Sequence, residues 1–486
     1  MTNSTRKKSL HAVAKTPTGI EGLDTITSGG LPRGRTSLIA GGPGSGKTLF
    51  GLEFLLHGAE RYGEPGVAMT FEETPDEFEA NIASLGHDLK AMERAGKISI
   101  DYVEVERRQI EEVGPFDLEG LFVRLDYAIS QIKAKRVLLD TIEVLFSGFT
   151  DEGTIRSELR RLFRWLKNRG VTAVVTAESG VGRFVTRHGL EEYVADCVIV
   201  LDQRVTDQIS TRRIRVLKYR GSAHGTNEYP FLIGERGLSV LPITSVGLTH
   251  GAPSERISSG VDGLDDMLGG RGFYRASSVL VSGNAGTGKS ILAAMFANAA
   301  CDRGERALCF AFEESPQQIL RNMRSVGVDL APHLAKKRLL IHSVRPTSSG
   351  LEAHLASMHQ LVNDFAPDVV VVDPITNLIS VGSQISVKAM LTRLIDFLKI
   401  RGITAVFTTL SMGNEFEQTS TEISSLMDSW LMLRNEQVGP NRERLLNVLK
   451  SRGMAHSSEI LQFFISDSGI QINSEAMELA AVGQED

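Results

Sequence analysis

The chain has 486 residues, room for two domains of ordinary size, and its 42% hydrophobic and 23% charged residues are the balance of a water-soluble globular protein. A formal net charge of −6 supplies no bulk attraction to nucleic acid, and no apolar run approaches the roughly 20 residues that span a bilayer. The basic start MTNSTRKKSLHAVAKTP leads into no apolar segment, which argues against a secretory signal. The cysteines Cys197, Cys301 and Cys309 have neither metal-ligand nor disulfide spacing, so a reducing, cytoplasmic setting is expected, with each thiol filling core.

After a tail over residues 1–13, expected to be flexible, RTSLIAG (35–41) reads as a strand and GGPGSGKT (41–48) as a glycine-rich loop. KTLFGLEFLLHGAE (47–60) is the helix that follows. PGVAMTFEE (65–73), RVLLD (136–140) and VTAVVTAES (171–179) are further apolar strands. The same order then returns: ASSVLVSG (276–283), GNAGTGKS (283–290), KSILAAMFANAAC (289–301), RALCFAFEE (306–314), DVVVVD (368–373) and ITAVFTTLS (403–411). TGIEGLDTITSGGLPRG (18–34) matches SGVDGLDDMLGGRGFYR (259–275), and VLKYRGSAH (216–224) matches VLKSRGMAH (448–456). A period of roughly 240 residues marks a duplicated domain, not a short solenoid repeat. The spacing shrinks by about ten residues before the last match. The first copy therefore carries an extra segment, for which EVERRQIEEVGPFDLEG (104–120) is the candidate surface loop. Apolar strands alternating with helices predict an α/β fold, each copy a mostly parallel sheet flanked by helices. The expected bounds are 14–247 and 248–472, with a short acidic tail over 473–486.

Both glycine loops satisfy the P-loop pattern after a strand and before a helix. In the first, Gly41, Gly42, Pro43, Gly44, Ser45 and Gly46 let backbone N–H groups face phosphates. Gly283, Asn284, Ala285, Gly286, Thr287 and Gly288 do so in the second. Lys47 and Lys289 are expected to reach the β- and γ-phosphates of ATP, and Thr48 and Ser290 to ligate Mg²⁺. Asp140 and Asp373 end apolar strands, where a carboxylate serves the metal; capping the next helix is the other use of such a residue. The pairs Glu72/Glu73 and Glu313/Glu314 end strands predicted beside the P-loop strand. They suit a base for an attacking water or hydroxyl, or a helix cap before the TP and SP that follow. Lys218/Arg220 and Lys450/Arg452 stand two apart on one side of an extended segment. A neighbouring subunit would use them as phosphate fingers; alone they are a solvated hairpin. Finally GLEEYVADCVIVL (189–201) aligns with TEISSLMDSWLML (421–433), setting Glu192 and Tyr193 against two adjacent hydroxyls, Ser424 and Ser425.

Tandem P-loops, two FEE pairs, KxRG twice and a late Ser-Ser before an aspartate resemble the KaiC family of circadian clock proteins, over about residues 14–472. The resemblance implies two RecA-like ATPase domains in a double-ring homo-hexamer, with ATP and Mg²⁺ between subunits. It implies that Glu72 and Glu73 serve hydrolysis in the first ring and that Glu313 and Glu314 activate a protein hydroxyl in the second. It also implies that Lys218, Arg220, Lys450 and Arg452 reach a neighbour's phosphates. Ser424 and Ser425 then match the family's autophosphorylation pair, with Thr419 a further threonine near the transfer. The pattern departs in two places: Ser425 replaces a threonine, and a longer tail gripped by the activator KaiA in the family has no counterpart after ISDSGIQI. KaiA-type control is therefore not expected, while a KaiB-like partner at the first domain fits the 104–120 segment. The implied function is an ATP-dependent serine/threonine autokinase with slow ATPase activity. A RecA-type DNA-dependent ATPase and a nucleotide-gated scaffold are the alternatives; few basic residues on candidate channel loops argue against nucleic acid.

Overall fold

The computed structural model describes residues 13–84, 86–103, 118–146, 151–180, 186, 189, 194–206, 209–234, 237–242, 251–411, 423–438 and 440–476. Its contacts divide the chain into two units, Met1–Ser245 and Val246–Asp486. Most of the 104–120 insertion, and Glu192, Tyr193 and Thr419, lie outside the described residues.

In the first unit the strands are β1 Thr36–Gly41, β2 Gly66–Thr70, β3 Ile98–Tyr102, β4 Arg136–Asp140, β5 Thr172–Glu178, β6 Cys197–Thr206, β7 Ile209–Tyr219, β8 Glu228–Gly234 and β9 Gly237–Val240. They form one nine-stranded sheet in the order β3-β2-β4-β5-β1-β6-β7-β8-β9. The five pairings from β3 to β6 are parallel and the last three antiparallel. Helices α1 Lys47–Arg61, α2 Pro75–Ser84, α3 Leu118–Ile132 and α4 Glu152–Asn168 connect the parallel strands. Side chains alternate across a strand, so neighbours serve opposite faces. Ile39, Leu138 and Val174 pack into the core with Phe50, Phe54 and Leu55 of α1. Leu38, Val137 and Val175 pack with Leu121 and Leu125 of α3 and Leu159 and Leu162 of α4. Coverage on both faces is what makes these strands continuously apolar.

The second unit repeats the plan with β10 Ser278–Gly283, β11 Ala307–Ala311, β12 Leu339–Ser343, β13 Val369–Asp373, β14 Thr404–Leu410, β15 Ser429–Val438, β16 Asn441–Ser451, β17 Leu461–Ser466 and β18 Gly469–Ala476. Its order, β12-β11-β13-β14-β10-β15-β16-β17-β18, is the first sheet's order again. The helices are α5 Lys289–Asp302, α6 Pro316–Arg324, α7 Leu351–Phe365 and α8 Gln384–Ile400. The mostly parallel sheet flanked by helices is as the sequence predicts. However, β2 and β11, which lead to the glutamate pairs, do not neighbour the P-loop strands β1 and β10 as expected: two strands lie between them in each sheet. The antiparallel extension in each half is not predicted, because its strands mix charged and apolar residues, as in RRIRVLKY of β7. The last strand runs to Ala476, past the tail start read at 473, since the turn at Gly469 folds it back onto β17.

Cys197 and Cys301 are buried in the core, whereas Cys309 is half-buried against it. Burial pushes the Cys197 thiol up to about 12 and the Cys301 thiol up to about 11, so neither is a thiolate near neutral pH. Among the described residues no helix is long and apolar enough to cross a membrane.

Candidate functional site

Each P-loop lies where the central parallel strand, β1 or β10, hands the chain to a helix. Gly46 and Gly288 take φ of 96° and 99° immediately before α1 and α5, in a left-handed region that a side chain would strain. Neither helix has a side-chain cap, so its first N–H groups are left to a ligand. Lys47 Nζ donates to the carbonyls of Gly41 (2.7 Å) and Gly42 (3.1 Å), holding the ammonium over its own loop. Lys289 does the same to Gly283 (2.9 Å) and Asn284 (2.7 Å). Burial lowers the Lys289 pKa, against the charges of Asp373 and Glu313. A cavity of about 400 Å³ beside the first loop is lined by Gly42, Pro43, Ser45, Gln203, Arg213 and Glu228.

The strand-ending aspartates meet the residue after each P-loop lysine. Thr48 Oγ1 donates to Asp140 Oδ2 at 2.9 Å, and Ser290 hydrogen-bonds Asp373. Each aspartate accepts a second bond, from the Thr176 or Thr408 hydroxyl on the neighbouring strand. Burial raises the pKa of both carboxyls while these hydroxyls and the P-loop lysines oppose it. A hydroxyl and a carboxylate held together beside a phosphate loop are oxygen donors of the kind that suits Mg²⁺.

The glutamates do not cap the helices they precede. Ser315 and Gln318 form a capping box on α6, and Thr74 and Glu77 exchange the corresponding bonds at α2. The second glutamate of each pair is instead tied to an asparagine one helix away. Asn81 Nδ2 donates to Glu73 Oε2 and Asn322 Nδ2 to Glu314 Oε1, both at 2.9 Å. Burial raises the Glu73 pKa, and the nearby Asp140 charge raises it further. Glu72 and Glu313, the first of each pair, are exposed. The sequence singled out the carboxylates but gave no sign of Thr176, Thr408, Asn81 or Asn322, which only folding brings to them.

Lys218/Arg220 and Lys450/Arg452 stand at the other end of the sheet. Val279 pairs with Ser429, and Ser429 with Ser451, so this cluster lies beyond the start of β10. The P-loop follows the end of that strand, about 13 Å further on at ~3.3 Å per residue. In the second unit Lys450 Nζ donates to the Ser424 carbonyl at 3.0 Å and Arg452 Nη2 to the Ser425 carbonyl at 2.7 Å. Asp428 anchors the segment through Ser278 N (2.9 Å) and Lys399 Nζ (2.7 Å). Although burial alone would raise the Asp428 pKa, Lys399 and Ser278 hold it below the usual range. In the first unit Asp196 pairs with Arg35 (3.3 Å) and lies 3.9 Å from Arg220. A cavity of about 410 Å³ lined by Tyr274, Arg275, Lys399, Asp428 and Arg452 opens at this end.

Fold and loops together define a tandem P-loop ATPase whose two units each present one phosphate site. The family profile described as "ATPase: KaiC" matches residues 16–245 and again 257–477. The chain is similar to "Circadian clock protein KaiC2" of Synechocystis sp., 54% identical over 97% of this chain and 83% of that one. It is similar also to "Circadian clock oscillator protein KaiC" of Synechococcus elongatus, 37% identical over 97% and 91%. A protein of the same name in Parathermosynechococcus lividus is 38% identical over 95% and 86%. The chain belongs to the KaiC family of ATPases.

Proposed function

We propose that the protein phosphorylates its own Ser424 and Ser425 with ATP bound to a neighbouring subunit, while the first unit acts as a slow ATPase. The observation that carries this reading is the grip of Lys450 and Arg452 on the carbonyls of Ser424 and Ser425. Cations suited to phosphate and two hydroxyls suited to receive it occupy one spot, remote from the P-loop of their own unit. A neighbour's ATP captured there brings its γ-phosphate to the serines, so the site is complete only between subunits of a ring, for which the hexamer of the family is the expected form. In the transfer, the Ser425 (or Ser424) Oγ attacks the γ-phosphorus, the bond to the β-phosphate oxygen breaks, and the hydroxyl proton passes to Glu313 or Glu314. Lys289 exchanges its loop carbonyls for phosphate oxygens, and the P-loop N–H groups hold the β-phosphate. Thr48 with Asp140, and Ser290 with Asp373, would hold Mg²⁺, which supplies charge neutralisation when bound. In the first unit Glu72 and Glu73 take the proton of an attacking water. A timing role, and a KaiB-like partner at the first unit, belong to the same proposal.

Incubation with labelled Mg-ATP followed by peptide mass mapping tests it. Phosphate is expected on Ser424 or Ser425, the double alanine variant loses nearly all label, and Lys289→Ala abolishes it. Label confined to other residues rejects the reading.

A further inference from the structure

The two copies treat their second glutamate alike and their first glutamate differently. Glu73 and Glu314 are each tied to an asparagine eight residues further on. Glu313 has a further partner: Asn377 Nδ2 donates to its Oε1 at 3.0 Å. Asn377 lies in the helical turn Ile375–Val381 that follows β13, four residues after Asp373. The corresponding stretch of the first copy, DTIEV against DPITN, puts Val144 four residues after Asp140. A valine offers no side-chain donor, so Glu72 has no equivalent restraint at that position.

We infer that Asn377 is a positioning residue that aims Glu313 at the acceptor hydroxyl in the second unit. This rests on the kinase reading above for the identity of the acceptor. The carboxylate has two oxygens, and the amide occupies one of them. Oε2 is then left to receive the proton as the serine Oγ–P bond forms and the P–O bond to ADP breaks. Glu313 is otherwise exposed on a flexible stem, so a single hydrogen bond decides how often Oε2 points inward. The charge of Glu313 already acts on Lys289 and on Asp373, which sets it on the phosphate side of the site. Water diffuses to a base in any orientation, whereas a serine on a neighbour arrives from one direction. A hydrolytic copy therefore tolerates Val144, and a copy that transfers to protein benefits from Asn377.

The test uses the full chain with the first site silenced by Glu72→Gln and Glu73→Gln, and follows phosphate on Ser424/Ser425 and ADP release separately. Asn377→Leu removes the donor at similar size and should slow the turnover about tenfold. The KM for ATP should not change, because the amide is spent on the Glu313 carboxylate. Asn377→Asp, isosteric but placing a second carboxylate against Glu313, should be slower still, and Asn377→Gln, which keeps an amide donor, should recover part of the rate. A merely structural asparagine would not rank these three variants in that order and would move KM and stability together with kcat. Label at the parental rate in Asn377→Leu overturns the inference while leaving the kinase reading intact. Absence of label in the parent overturns the kinase reading and with it the serine acceptor, and ADP release that then still falls in Asn377→Leu would also overturn the contrast drawn with Val144.

Discussion

At the residue scale the duplicate halves act as each other's control. Arg136, at the start of β4, is fully buried and spends its guanidinium on the Glu64 carboxylate (2.7 Å) and the carbonyls of Phe54 and Pro17 (2.8 Å each). The second copy has Val369 in that place, also fully buried, so the fold does not require a charge there. Burial lowers the Arg136 pKa and Glu64 opposes it, which makes this an ion pair held against its desolvation cost. Arg136→Ala should destabilise the first unit by about 3–5 kcal/mol, since Glu64 and two carbonyls lose their partner. Arg136→Met combined with Glu64→Gln should recover much of that loss in urea unfolding, whereas equal losses in both variants would mean that packing, not charge, sets the cost. None of this was legible beforehand: RVLLD and VVVVD both read as apolar strands. P-loop glycines and strand-ending aspartates were legible because their chemistry is compressed into eight residues or one strand end. Asn377 was not, since it meets Glu313 across 64 residues of chain.

At the scale of elements, α7 and α8 pack through a stack in which the His359 ring lies 3.6 Å from that of Phe397. The Arg401 guanidinium lies 4.5 Å from the Phe397 ring. Burial lowers the His359 pKa to about 4, and the Arg401 charge contributes to the same shift. The unfolded value is about 6.5. Between the two values the unfolded chain holds a proton that the folded chain rejects, so stability rises with pH across that window. The contribution is complete above pH 6.5 and is lost as pH falls toward 4, on the order of 3 kcal/mol in all. His359→Phe keeps an aromatic ring in the stack and removes the proton. Its unfolding midpoint should therefore lose less than the parent's on going from pH 7 to pH 4.5, and an identical loss would show that other groups govern acid sensitivity. The elements themselves were readable where both sheet faces are covered, because continuous apolar runs leave few alternatives. The antiparallel strands were harder, as their outer residues are polar and their partners lie further along the chain.

At the scale of the molecule, the sequence showed a domain-length duplication, and the structure shows how far apart two features of the second copy stand. Phosphate loops stand at one end of the central strand, and the Lys450/Arg452 cluster with the two serines stands at the other. No rotamer change bridges about 13 Å of strand, so under the proposed kinase reading the phosphate on Ser424 or Ser425 would have to come from another chain's P-loop. That proposal has a direct consequence in mixtures. A Lys289→Ala chain keeps Ser424 and Ser425 but lacks the P-loop ammonium; a Ser424→Ala/Ser425→Ala chain keeps the ammonium but lacks acceptors. Neither should label alone. Mixed under conditions that let subunits exchange, they should label, with all phosphate on the Lys289→Ala chain, distinguished by a mass tag. Adding Lys450→Ala and Arg452→Ala to that acceptor chain removes the cations proposed to capture the neighbour's phosphates, and labelling should fall steeply. The same two substitutions placed on the serine-free chain should have far less effect, because that chain only donates. This asymmetry is the discriminating result. Equal effects on either chain would mean that the cations serve assembly in general, and label on a chain incubated alone as a monomer would overturn transfer between subunits.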